Sequence, residues 1–291
     1  MRIALHGRYV TEATLPLIKD LLQLLVQRQA HIVVSQTFDG LLRGTGASFP
    51  PVQSFAPGDD LGAMHLMISL GGDGTLLEAV NYVGAAATPI LGMNMGRMGF
   101  LATIPCEEAV AALTGFWEGR YKIDQRTLLQ LTMQGEGGTQ VDFALNEVAL
   151  LKRDSSSMIT VQACIDDSLC TTYWADGLMV ATPTGSTGYS LSCGGPIVLP
   201  SAHNLVLTPI SPHNLSVRPL VLPDSATLSF RIASRNNTFL VAVDGRSKAT
   251  HIETTLTVQK ASFQAHLVKM DTNNIFDVLR QKLHWGLDIR N

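Results

Sequence analysis

The chain has 291 residues, enough for a large core and two domains. Hydrophobic residues make up 46% and charged residues 15%, against the ~25% charge usual in soluble domains. A net charge of -3 without a long basic run argues against a nucleic-acid partner. No apolar run reaches the ~18 residues of a membrane span.

Sparse charge points to surface buried in subunit contacts. The four cysteines, Cys106, Cys164, Cys170 and Cys193, form no C-x-x-C pair. They read as reduced thiols of a cytoplasmic protein. The chain opens on a strand-like Arg2-Ile3-Ala4-Leu5 rather than a signal peptide.

Ile3 to Leu5 predicts a short strand running into His6-Gly7-Arg8. Thr11 can cap the next segment, where Leu15, Ile18, Leu22 and Leu25 form a helical stripe. Ile32 to Val34 predicts a second strand. A β-α-β opening of this kind suits a doubly wound domain, whose ligands lie beyond the carboxyl ends of its strands. Arg8 falls at such an end, where it can face a triphosphate or simply be solvated. Gly40 to Asp60 is rich in Gly, Pro and Ser and predicts a mobile loop with one short helical turn.

Leu66 to Leu70 then predicts a buried strand. The Gly-rich turn Gly71-Gly72-Asp73-Gly74-Thr75 follows, with Leu76, Leu77, Val80 and Val83 spaced for one helix face. A turn from strand to helix N-terminus binds phosphate, because its unpaired N–H groups point at the anion. A carboxylate repels phosphate, so Asp73 needs its own reason. It can hold a cation, accept a hydrogen bond from a sugar hydroxyl, remove that hydroxyl's proton, or merely cap the helix.

Pro89 to Met93 predicts the next strand, leading into Asn94-Met95-Gly96-Arg97-Met98-Gly99-Phe100-Leu101. The paired glycines imply a close backbone approach. Phe100 can stack on a base, although core packing is the commoner role. Pro105 to Gly119 predicts a helix.

Beyond Lys122 strand signals dominate, with Lys122 to Gln125 as the hinge. Strands are predicted over Leu128 to Met133, Phe143 to Leu150, Ile159 to Ile165 and Leu178 to Ala181. Others cover Ala226 to Ile232, Phe239 to Val243 and Leu256 to Gln259. A helix returns at Asn274 to Leu283. The expected domains are 1–123, α/β and nucleotide-binding; 124–265, β-rich; and 266–291, packing back on the first.

The β region holds a second polar cluster. Asp176-Gly177 precedes Thr182-Pro183-Thr184-Gly185-Ser186-Thr187-Gly188-Tyr189-Ser190-Leu191-Ser192, with seven hydroxyl side chains in eleven residues. Hydroxyls donate or accept as needed, so such a loop can line a sugar or phosphate. Asn146-Glu147 is placed mid-strand, where buried polar groups need partners. His213 reads as structural.

In this order the stretches resemble the NAD kinase family, most clearly from residue 66 to 245. Gly71 to Thr75 alone is shared with lipid kinases and phosphofructokinases. Thr182 to Tyr189 is far more specific, and Pro209 to His213 and Asp244-Gly245 also fit. The resemblance implies an α/β, doubly wound, Rossmann-like N-terminal domain and a β-rich C-terminal domain, with the active site between them. It implies phosphorylation of the 2′-hydroxyl of the adenosine ribose of NAD by ATP or polyphosphate. It further implies a divalent cation, Mg²⁺ or Mn²⁺, and a homodimer or homotetramer.

Carried over, Asp73 is the proton acceptor. Gly74 and Phe100 border the dinucleotide, and Asn146 and Glu147 hold its adenosine half. Asp176 and Thr187, Gly188, Tyr189, Ser190, Leu191 and Ser192 line the nucleotide. Gly71, Gly72, Gly74, Thr75 and Arg8 face the phosphates. No residue is assigned as a protein metal ligand. Gly188 replaces a usual alanine, Trp174 a frequent arginine, Arg246 a common glutamine, and Glu78 a residue that is basic in some members. Trp174 and Arg246 are retained as NAD contacts. A diacylglycerol-kinase-type enzyme or a catalytically silent nucleotide sensor is the alternative. A dehydrogenase is disfavoured, because no Gly-x-Gly-x-x-Gly follows the first strand.

Overall fold

The computed structural model describes residues 1–96, 99–153, 157–270 and 275–284. The first strands and helices are β1 (Arg2–Gly7), α1 (Leu15–Gln27), β2 (His31–Ser35), α2 (Gln36–Gly44), β3 (Gln53–Phe55) and β4 (Leu66–Leu70). Next come α3 (Asp73–Val83), β5 (Ile90–Asn94), β6 (Ile104–Pro105) and α4 (Ala109–Trp117). Strands then prevail: β7 (Lys122–Gly135), β8 (Gly138–Ala144), β9 (Glu147–Leu151), β10 (Ile159–Ile165), β11 (Ser168–Ala175) and β12 (Gly177–Ala181). After α5 (Tyr189–Ser192) come β13 (Asn204–Ile210), β14 (Leu220–Pro223), β15 (Leu228–Ala233), β16 (Thr238–Val243), β17 (Arg246–His251), β18 (Thr255–Lys269) and α6 (Ile275–Leu283).

The chain divides into two units, Met1–Gln125 with Ala265–Asn291, and Arg126–Gln264. The first carries a parallel sheet in the order β5-β4-β1-β2-β3. The order reverses at β1, and β1 and β4 end side by side, Gly7 opposite Leu70. That reversal opens the crevice in which doubly wound sheets bind ligands. Strand β4 is buried throughout, as a run that is apolar but for Ser69 requires of a central parallel strand. Helix α1 packs Ile18, Leu21, Leu22 and Leu25 into the core that also takes Ile3, Leu5, Ile68 and Leu91. The turn before α1 is closed reciprocally by Thr11 and Thr14. Thr14 N–H donates to Thr11 Oγ1 (3.2 Å), and Thr11 N–H donates to Thr14 Oγ1 (3.0 Å).

The second unit holds an antiparallel six-stranded sheet, β14-β13-β12-β9-β16-β17. It also holds the antiparallel run β11-β10-β15-β18 and the β7–β8 hairpin. Leu150, Val180, Leu207 and Phe239 of the six-stranded sheet share one core with Val161, Phe230 and Val258 of the other strands. That is the packing of a β-sandwich.

Four expectations change. Gly40 to Asp60 is not one loop: α2 runs to Gly44, with Phe38 N–H donating to the Ser35 cap (3.2 Å), and β3 follows. The helix expected from Pro105 begins after that residue, because Ile104–Pro105 pairs with β5; a 3-10 turn over Cys106–Glu108 leads into α4. Phe143 to Leu150 is two strands, broken at Leu145 and Asn146, for a reason given below. Strands β11, β13, β14 and β17 were not anticipated. Of the final helix, Asn274 lies outside the described residues, as do Arg97 and Met98 of the glycine-paired stretch.

Candidate active site

Within the first unit the site grows from the end of β4. Gly71 N–H donates to Met93 O (2.9 Å), which keeps the turn on the sheet. A Cβ on Gly71 would lie 2.2 Å from Thr75 Oγ1, and Thr75 is buried. Gly71 and Thr75 therefore shape the turn, and their backbone N–H groups are used within it. Gly72 is the N-cap of α3. Thr75 N–H and Leu76 N–H donate to Gly72 O (3.0 and 3.2 Å), so the Asp73 and Gly74 N–H groups are the first-turn donors left for an anion.

Asp73 does not cap the helix. Its carboxylate accepts from three successive backbone N–H groups: Phe100 to Oδ2 (2.8 Å), and Leu101 and Ala102 to Oδ1 (3.0 Å each). The turn after β4 thereby fixes the loop after β5. A Cβ on Gly99 would sit 1.9 Å from Asp73 Oδ1, so that position must lack a side chain. Phe100 is half-buried, neither core nor fully presented. Arg8 lies beside Gly74, its Nη1 3.4 Å from where a Gly74 Cβ would stand. Arg8 Nε pairs with Glu78 Oε1 at 3.3 Å.

A similar cradle organises the second unit. Asp244 accepts from Leu145 N–H (2.7 Å), Asn146 N–H (2.8 Å) and Glu147 N–H (3.1 Å). These bonds take donors that a continuous strand would use, so β8 and β9 separate there. Burial pushes the Asp244 carboxyl upward, while the three N–H bonds pull the other way. Glu147 Oε2 is buried with no hydrogen-bond partner. Burial, with Asp244 adding repulsion, raises its pKa from 4.5 to about 7.

That shift makes a prediction. Between pH 4.5 and about 7 the folded chain keeps a proton on Glu147 that the unfolded chain loses. Glu147 therefore contributes stability below pH 4.5 that is lost as pH rises through about 7. Glu147→Gln should flatten this part of the Tm-versus-pH curve and raise Tm above that of the parent at pH 8. An unchanged slope would show that Glu147 ionises freely in the fold.

The hydroxyl-rich loop needs correction. Thr182 donates to Leu145 O (2.5 Å), and Thr184 accepts from Arg126 Nη1 (2.9 Å). Ser186 donates to Pro183 O (2.7 Å), and Ser190 Oγ bonds Thr208 Oγ1 (2.9 Å). All four are buried, so their side chains fasten the loop and do not face a ligand. Ser190 leaves the set of side chains expected on the nucleotide for that reason. Thr187, Gly188 and Leu191 are half-buried, whereas Tyr189 and Ser192 are exposed. Gly188 adjoins Asn146 and Glu147: a Cβ there would lie 3.3 Å from Glu147 Oε2.

Asp176 pairs with Lys152 Nζ at 2.7 Å, a partner that no motif signals. Trp174 is exposed, and its carbonyl accepts from His213 N–H (2.8 Å); His213 is itself exposed. Arg246 donates to Asp142 Oδ1 (3.1 Å) and Phe143 O (3.3 Å). Among the described residues no three His, Cys, Asp or Glu gather as a metal site, and no helix is long and apolar enough to cross a membrane.

A Gly-rich turn at the reversal point of a parallel sheet, followed by an antiparallel β domain, marks a nucleotide-binding protein. Comparison with known proteins specifies which. Residues 10–121 match the ATP-NAD kinase N-terminal domain, and residues 145–270 match the ATP-NAD kinase C-terminal domain. The NAD kinase of Cytophaga hutchinsonii is 46% identical over the full length of both chains, and that of Flavobacterium psychrophilum is 40% identical over the same extent. Among solved structures, yeast NADH kinase complexed with NADH superposes with a TM-score of 0.90 at 25% identity, covering 100% of this chain and 89% of that one. The fold also matches an NAD kinase from Archaeoglobus fulgidus in complex with ATP, with a TM-score of 0.74 at 24% identity over 98% and 99% of the chains. The chain belongs to the ATP-NAD kinase family, and its activity is ATP-dependent phosphorylation of NAD.

Proposed function

We propose that the phosphoryl acceptor is the 2′-hydroxyl of the adenosine ribose, with Asp73 taking its proton. The observation that carries this is the position of Asp73. Its carboxylate stands at the sheet's reversal point, one residue from the N-cap Gly72, beside the donors that suit a polyphosphate. Phosphoryl transfer depends mainly on such positioning and charge neutralisation, and a carboxylate within reach assists a weak alcohol nucleophile. Gly72, Gly74 and Arg8 then serve the donor phosphates. Gly74, Phe100, Asn146, Glu147, Trp174, Asp176, Thr187, Gly188, Tyr189, Leu191, Ser192 and Arg246 serve NAD. The unpartnered Oε2 of Glu147 supports this most directly, because a buried polar atom without a partner suits a ligand donor.

A divalent cation fits as a companion of the donor. Mg²⁺ usually keeps several waters and binds one or two carboxylates together with substrate phosphates, so it needs no preformed cage. It would supply charge neutralisation on the polyphosphate. The low charge content supports a homodimer or homotetramer, and the four free cysteines suit a cytoplasmic enzyme. The test is incubation with ATP, Mg²⁺ and NAD, with diacylglycerol as the rival acceptor. NADP carrying phosphorus at the 2′ position by NMR is the expected product. Phosphate at another hydroxyl, or only on the lipid, would overturn the proposal.

A further inference from the structure

A buried network behind the phosphate turn has no role in the chemistry above. His6, at the end of β1, is 1% exposed. Its Nδ1 contacts Ser35 Oγ at 2.8 Å and its Nε2 contacts Glu78 Oε2 at 2.9 Å. Burial lowers the His6 pKa, ahead of the opposing effect of Glu78, so the ring is neutral at pH 7. One tautomer satisfies every partner. Nε2–H donates to Glu78, and Nδ1 accepts the Ser35 hydroxyl proton. Ser35 Oγ still accepts from Phe38 N–H as the cap of α2. The other Glu78 oxygen, Oε1, meets Arg8 Nε. Arg8 is thus held through one edge of its guanidinium. Its side chain is 55% exposed, and its Nη1 lies over Gly74.

An acidic residue one helical turn from a phosphate site should weaken anion binding by repulsion. Here both carboxylate oxygens are already engaged, one by a buried imidazole and one by the cation. An isolated arginine samples many rotamers and must lose that freedom on binding, at a cost that prior fixation removes.

We propose that Glu78, oriented by His6, is a positioning residue that holds the Arg8 guanidinium over the first turn of α3 to receive the phosphates of the donor. This rests on the reading that the donor phosphates approach Gly72 and Gly74. The pair is built from β1 and α3, the two elements that flank the sheet's reversal point. Glu78 therefore links donor binding to the packing of the sheet, through His6 and Ser35.

The experiment is a double-mutant cycle on the full chain, with Arg8→Ala, Glu78→Ala and the combination. Each variant is assayed for KM and kcat with ATP and NAD, and titrated directly with ATP. Arg8→Ala should raise the ATP KM and Kd about tenfold or more, the loss of one charged hydrogen bond. Glu78→Ala should raise both severalfold alone and not at all in the Arg8→Ala background. The NAD KM should stay unchanged throughout. Glu78→Gln, which keeps the side-chain volume, should fall between Glu78→Ala and the parent, and it stands in if Glu78→Ala does not fold. Tighter ATP binding without the Glu78 carboxylate would overturn the proposal in favour of simple repulsion. An equal loss in both backgrounds would also overturn it. If the parent makes no NADP, the catalytic reading fails, while the ATP titrations still decide whether Glu78 acts through Arg8.

Discussion

Asp73→Asn is expected to reduce kcat by at least ~10²-fold, the lower end of what general-base assistance contributes. Sequence alone implies that NAD binding would survive the change. The three N–H groups of Phe100, Leu101 and Ala102 imply otherwise. Asparagine offers one oxygen and one NH₂, so at least one backbone donor would face another donor. The Gly99–Ala102 segment should loosen, and the NAD KM should rise together with the fall in kcat. Gly99→Ala separates the two contributions. It keeps the carboxylate but places a Cβ 1.9 Å from Oδ1, so the loop must shift. If proton acceptance dominates, Gly99→Ala should chiefly raise the NAD KM, whereas Asp73→Asn should also abolish most turnover. Kinetics of both variants, with thermal melts as a folding check, provide the measurement. Near-parent turnover in folded Asp73→Asn would end the case for a base.

The sequence shows the first unit well because its signals are local. A run at Leu66 to Leu70 that is apolar but for Ser69, and the turn after it, locate β4, α3 and the anion-binding donors. Helix α2 was missed because Gly40 and Gly44 dilute a stripe of only Phe38 and Leu42, while its cap, Ser35, is the last residue of a strand. In the second unit the break between β8 and β9 was invisible for a different reason. Leu145 and Asn146 lose their strand geometry to Asp244, almost a hundred residues away in sequence. The hydroxyl cluster misleads in the same way. Thr182, Thr184, Ser186 and Ser190 have the composition of a sugar-binding loop, yet only tertiary structure shows that their hydroxyls are consumed internally. The paired glycines signal a close approach at Gly99 without showing to what, and Glu78 carries no motif of its own. Their importance follows from what they touch: a carboxylate in one case, a buried histidine and a surface arginine in the other.

Two glycines three residues apart should respond very differently to the same substitution. Gly185 sits on the backbone of Asn146: a Cβ there would lie 2.1 Å from the carbonyl oxygen, 2.5 Å from its carbon and 2.8 Å from Cα. None of these atoms can swing aside as a side chain would. The same strip of backbone is fastened from the loop side, since Thr182 N–H donates to Asn146 O (2.9 Å) and Thr182 Oγ1 donates to Leu145 O. Gly185→Ala should therefore cost at least about 1–3 kcal/mol, the usual range for overpacking. It should also raise the NAD KM, because the displaced residues are Asn146 and Glu147. Gly188→Ala meets only Gly185 O at 3.2 Å and Glu147 Oε2 at 3.3 Å. A few tenths of an ångström of movement relieves that, and the backbone φ of -92° suits alanine. Its Tm should stay within experimental error of the parent. Melting curves and NAD saturation curves for the two variants decide the matter. Equal tolerance at both positions would mean that the 182–188 turn is not clamped onto Asn146, and the assignment of Asn146 and Glu147 to a preorganised adenosine site would lose its structural basis.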